Sequence, residues 1–136
     1  MKKNLLNVVI PTRNRPDTLY FCLKTVINQN YDKLRIIVNN NSDVYKKETK
    51  EVVKLFKDKR IDYFETEGNL AMKDNYEDAL NKVTDGYVMF IGDDDGIAYN
   101  SLNYVNNLIN KTNSLALKCF SPTYHWKTIN KKVFKK

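Results

Sequence analysis

An α/β fold, with an open, mostly parallel sheet and helices on both faces, is what this sequence predicts. Two observations predict it. Apolar runs of strand length alternate strictly with segments whose apolar residues recur at helical spacing. A polar cluster also follows each strand-like run, where open α/β sheets place their ligand sites. At 136 residues the chain is a single domain by size, long enough for one core. No internal repeat or low-complexity linker divides it.

The elements follow in order. Residues 5–10 form an apolar run stopped by Pro11, a strand signal. The loop Pro11-Thr12-Arg13-Asn14-Arg15-Pro16 ends on a proline suited to a helix first turn. Leu19, Leu23, Val26 and Ile27 then stripe a helix over residues 16–29. Residues 34–38 are a second strand, and Asn39-Asn40-Asn41-Ser42-Asp43 is a turn and cap cluster. Tyr45, Val52, Val53 and Phe56 share one face of a helix over about 44–58. Residues 61–64 are a short third strand, followed by a polar loop over 65–69. Met72, Tyr76, Ala79, Leu80 and Val83 stripe a third helix, and residues 87–91 are the fourth strand. Leu102, Val105, Leu108 and Ile109 mark a fourth helix, and residues 115–120 read as a fifth strand. Right-handed crossovers between parallel strands satisfy this order.

Composition narrows the classes. The net charge is +7, yet residues 1–110 hold 16 basic and 16 acidic side chains. The excess is the seven lysines of residues 111–136, a stretch with no acid. Such a segment meets anionic lipid or nucleic acid, or is a solvated end defended by lysines. Its aromatics Tyr124, Trp126 and Phe134 match no RNA-binding pattern, so nucleic acid is not an expected partner. Cys22 and Cys119 are too few and too far apart for a disulfide framework and read as buried free thiols. No apolar stretch reaches membrane-span length, and the amino end lacks the pattern of a secretory leader. A cytoplasmic location is the expectation, with peripheral contact at the inner face of a membrane through residues 112–136.

The chemistry concentrates at Gly92-Asp93-Asp94-Asp95-Gly96, directly after the fourth strand. Like charges about 5 Å apart cost about 3 kcal/mol per pair at an effective dielectric of about 20. A hard divalent cation removes that cost, because it prefers carboxylate oxygens. A solvated turn capping the next helix is the plainer reading, but a cap contributes about 1 kcal/mol and needs one carboxylate. The other strand ends supply amides, hydroxyls and the cations Arg13 and Lys73, which suit a base, a ribose and a diphosphate. Neither G-x-G-x-x-G after the first strand nor G-x-x-x-x-G-K-[ST] is present, so dinucleotide and P-loop sites are excluded.

Several segments together resemble the nucleotide-sugar-binding half of a family 2 glycosyltransferase. They are Val8-Val9-Ile10-Pro11-Thr12-Arg13-Asn14-Arg15, Ile36-Ile37-Val38-Asn39-Asn40-Asn41-Ser42, Gly68 through Asn75 with Ala79, and Asp85-Gly86-Tyr87-Val88 before Asp93-Asp94-Asp95. The resemblance covers about residues 5–111 and implies a GT-A fold, Rossmann-like in its nucleotide half. It implies a UDP or GDP sugar as donor and a glycan or lipid-linked acceptor. Asp93-Asp94-Asp95 matches the family's D-x-D metal motif. Mn2+ or Mg2+ would sit against Asp94 and Asp95, with Asp93 facing the ribose or sharing the metal. Pro11 and Thr12 would line the nucleoside pocket, and Arg13 and Lys73 would counter phosphate charge.

Asn40 stands where the family often has a base-reading aspartate, and Asn100 where it often has proline. The family's acceptor base is a later carboxylate, and no Asp or Glu follows Asp95 in this chain. The catalytic base is therefore unassigned. The chain is expected to be a single truncated domain, 1–136, with a basic segment over 112–136 after the donor half. A non-catalytic nucleotide-binding or interaction domain is the alternative.

Overall fold

The computed structural model describes residues 5–119. Eight elements alternate: β1 (Leu6–Thr12), α1 (Pro16–Ile27), β2 (Leu34–Asn40), α2 (Lys46–Leu55), β3 (Ile61–Glu65), α3 (Met72–Leu80), β4 (Tyr87–Phe90) and α4 (Ser101–Thr112). The four strands are all parallel, in the order β3-β2-β1-β4. β1 lies at the centre, and all seven of its residues are buried. That explains its nearly continuous apolar run, interrupted by the buried Asn7, since a parallel strand covered on both faces has no solvent side.

The period of two divides the core. Leu6, Val8 and Ile10 of β1 and Ile36 and Val38 of β2 point to one face. There they meet Leu19, Cys22, Leu23 and Val26 of α1, Val52 and Val53 of α2, and Leu102 and Ile109 of α4. Val9 and Ile37 point to the other face and pack on Ala79 of α3. Helices therefore cover both faces, three on one side and α3 on the other.

Two expectations are corrected. Residues 115–119 form no strand, and Leu115 is 88% exposed, because they pair with no sheet edge among the described residues. Phe120 and the rest of the basic segment lie outside the described residues. Cys22 is buried as expected, but Cys119, in the irregular stretch after α4, is exposed. Asn100 precedes α4 with φ of 59°, a left-handed conformation closed to proline, whose ring fixes φ near −65°. Asparagine is among the few residues that adopt it readily.

Candidate functional site

The carboxyl ends of the strands carry the polar residues. At the end of β1 the Thr12 hydroxyl donates to Asp93 Oδ2 at 2.7 Å. Thr12 is 1% and Asp93 6% exposed, so this is a buried bond between two strand ends that are 81 residues apart. Burial pushes the Asp93 carboxyl above its ordinary range, and Asp94 adds to the shift; the Thr12 hydroxyl and Arg15 oppose it. Arg15 Nη1 lies 2.8 Å from Asp94 Oδ2 and 3.4 Å from Asp93 Oδ1, so one guanidinium serves both carboxylates.

Asp95 turns back on its own loop. Its Oδ2 accepts from the Gly92 amide at 3.1 Å, while its own amide donates to the Gly92 carbonyl at 3.1 Å. A Cβ on Gly92 would lie 2.8 Å from Asp94 Oδ1 and 2.9 Å from Asp95 Oδ2. Two carboxylate oxygens thus gather over the one residue that leaves them room. α1 fixes the loop from beneath. Thr25 Oγ1 accepts from the Ile97 amide at 3.0 Å, and Gln29 Nε2 donates to the Ala98 carbonyl at 3.0 Å. Cys22 Sγ lies 3.5 Å from the Gly92 carbonyl. Burial, then the charges of Asp93, Asp95 and Asp94, push its thiol far up, so it stays protonated and packs as a small apolar group.

The turn after β2 is built differently. Asn40 is fully buried; its Oδ1 accepts from the Ser42 amide at 2.9 Å, and its Nδ2 donates to Tyr63 Oη at 2.8 Å. Asn40 therefore organises the turn, and touching a ligand would require these bonds to break. Asn41 clamps the loop after β3: its Oδ1 accepts from Thr66 Oγ1 and the Leu70 amide, and its Nδ2 donates to the Leu70 carbonyl. Gly68, at φ of 90°, lets that loop approach closely, since a Cβ there would lie 2.7 Å from the Ser42 carbonyl oxygen. Arg13 bridges the two loops, reaching Asp43 Oδ2 at 3.2 Å and the Leu70 carbonyl at 3.3 Å. Asp43 also accepts from Asn14 Nδ2. The Asn14 amide first, then Asp43's own backbone amide and Arg13, hold its carboxyl down at about 2.

The structure thus joins Thr12 to Asp93 and places Asp94 and Asp95 beside them, exposed. It seats Arg13 between the second and third strand ends. Pro11 is buried in β1, and Lys73 is exposed in the first turn of α3 without a partner among the described residues. The reading of the loop gave Arg15, Asn14 and Asp43 no role. Their residue types were visible, but which arginine faces the aspartates depends on where α1 starts.

Two features bear on a metal. Asp93 points inward to Thr12, and among the described residues no group of three or more His, Cys, Asp or Glu is arranged to hold one. Asp94 and Asp95 remain as exposed carboxylates converging over Gly92, a donor set that fits a hard divalent ion completed by ligand oxygens.

The parallel α/β sheet with helices on both faces is of the Rossmann-like GT-A class. The chain belongs to glycosyl transferase family 2, whose family model matches residues 7–133. It is 33% identical over 113 residues to the GalNAc(5)-diNAcBac-PP-undecaprenol beta-1,3-glucosyltransferase of Campylobacter jejuni, covering 79% of this chain and 34% of that protein. It is 32% identical over 108 residues to glycosyltransferase GlyA of Streptococcus pneumoniae, covering 78% of this chain and 15% of that one. The chain therefore spans about a third or less of these relatives. Its fold matches S. aureus TarS in complex with UDP, at 20% identity and a TM-score of 0.71, over 79% of this chain and 32% of that one. It also matches the mannosyltransferase PcManGT of Pyrobaculum calidifontis with GDP-Man and Mn2+, at 19% identity and a TM-score of 0.65, over 75% and 31%.

Proposed function

We propose that these residues bind the donor of a sugar-transfer reaction, a UDP- or GDP-linked sugar held with Mn2+ or Mg2+ at Asp94 and Asp95. The observation that carries this is the pair of exposed carboxylates over Gly92, next to Thr12–Asp93 and the cations Arg13 and Arg15. A bound divalent ion supplies Lewis-acid stabilisation of the diphosphate leaving group.

Each chain residue has a part. Asp94 and Asp95 hold the ion, and Asp93, buried against Thr12, supports the loop behind the ribose. Pro11 and Thr12 wall the nucleoside pocket. Arg13 and Lys73 counter phosphate charge at the mouth. Asn40 shapes the base pocket from behind by fixing the turn 39–43. The acceptor is a glycan or lipid-linked sugar, met at the inner face of a membrane. No described helix is long and apolar enough to cross one.

The alternative is a nucleotide-binding module without transfer activity, in which Arg15 rather than a metal holds Asp94. Calorimetric titration tests the binding reading. UDP, GDP and their sugar forms are titrated with Mn2+ and then with excess chelator. Affinity should fall by about tenfold or more without metal. Asp94→Ala should reproduce that fall, and Glu77→Ala, on the exposed side of α3, should not. Equal affinity with metal and with chelator for every nucleotide would overturn the reading.

A further inference from the structure

The acidic turn already holds a cation. Arg15 Nη1 sits 2.8 Å from Asp94 Oδ2 and 3.4 Å from Asp93 Oδ1. Asp93 is tied to Thr12 from the other side. Asp94 is the exposed carboxylate of the pair: its Oδ1 lies over Gly92, where a metal would bind, while its Oδ2 holds Arg15. A guanidinium and a divalent ion cannot share that carboxylate without placing like charges within a few ångströms of each other. The arginine side chain is half exposed, so it can swing away, and the ion pair it leaves is of the weak, solvated kind.

We infer that Arg15 is a counter-cation that competes with the divalent metal for Asp94 and makes metal loading depend on the nucleoside diphosphate. This rests on the donor-binding reading above. Without nucleotide, the metal must either displace Arg15 or sit beside its positive charge. With nucleotide, the diphosphate brings negative charge that neutralises both cations, and the guanidinium gains oxygens to replace Asp94. Metal and nucleotide therefore bind with positive coupling, and by linkage each strengthens the other by the same factor. Arg15 is a positioning residue in this scheme, since it acts on the metal through Asp94. Arg15→Gln removes the competing charge and should uncouple the two ligands.

The test measures Mn2+ binding to the full 136-residue chain by electron paramagnetic resonance of the free ion. It is done alone and with saturating UDP, and again with GDP. In the unaltered protein, Mn2+ alone should bind weakly and the nucleotide should strengthen it. Arg15→Gln should bind Mn2+ alone about two- to five-fold more tightly, the range expected for losing one exposed competing pair. The gain from nucleotide should shrink by at least the same factor. Arg15→Lys keeps the charge and should stay near the unaltered protein. Lys111→Gln, which removes one positive charge from the last turn of α4, should also stay near it. A merely structural role for Arg15 would not give a tighter metal site in Gln and a normal one in Lys. If Mn2+ binds with nucleotide but Arg15→Gln binds the free ion no more tightly, the competition is overturned and donor binding stands. If no variant binds Mn2+ even with nucleotide, the donor-binding reading falls and the competition with it.

Discussion

At Thr12 a single hydroxyl decides how a buried carboxylate is tolerated. Asp93 is 6% exposed, and losing its Thr12 donor leaves it the Arg13 backbone amide and the long contact to Arg15. Thr12→Val should cost about 1–3 kcal/mol in urea unfolding, while Thr12→Ser, which keeps the donor, should cost less. Asp43 shows the opposite sign of carboxyl shift. Its folded value is about 2 against an ordinary 3.8, so its ionised form is favoured by the fold. That contribution is complete above the ordinary value and is lost as pH falls from about 4 toward 2. Asp43→Asn should flatten the stability curve in that window, as followed by circular dichroism against pH. Asp93, with its value raised, has a charge that the fold disfavours. Its protonation relieves that cost as pH falls through the raised value. None of these pairings was legible in the sequence. Thr12 and Asp93 were each singled out, yet their bond spans 81 positions.

The elements were far more legible, because period is a local property. The helical stripe of α1 and the apolar run of β1 both read directly, since each side chain's face depends only on its spacing. Leu23 is fully buried between α1 and the sheet, so Leu23→Ala should cost about 2–5 kcal/mol in the same unfolding measurement. The boundaries were less legible. The second helix was expected over about 44–58 and runs Lys46–Leu55; its start is delayed because the Val44 amide donates to the Asp43 and Asn14 side chains. The fifth strand failed because a strand needs a neighbouring edge, which no local pattern supplies. Gly68 belongs to this scale too. Gly68→Ala would push a Cβ against the Ser42 carbonyl at φ of 90°. It should destabilise by more than about 1 kcal/mol and, by shifting the turn 39–43, weaken nucleotide binding.

For the whole molecule, the expected behaviour is donor binding with little acceptor-dependent turnover by this 136-residue chain alone. No carboxylate follows Asp95 to take an acceptor proton, and general-base help is typically worth about 10²–10⁴-fold. Incubation with a panel of nucleotide sugars and Mn2+, with and without acceptors, should release nucleotide slowly and equally in both. Fast, acceptor-dependent release would show that another group serves as base. The sequence by itself determined the α/β order, the faces of the helices, the family and the loops that form the site. Alternation, periodicity and motif order are all written along one dimension. Only the tertiary structure decided where each candidate residue lies and what it bonds. It turned Asp93 inward, left Asp94 and Asp95 outside, enclosed Asn40 and gave Arg15 to the aspartates. Those assignments depend on strand ends brought together across 30 to 80 positions by the order β3-β2-β1-β4, as in the separations of 30 for Arg13–Asp43 and 78 for Arg15–Asp93. Distance and burial between such ends have no local signature for a pattern to carry.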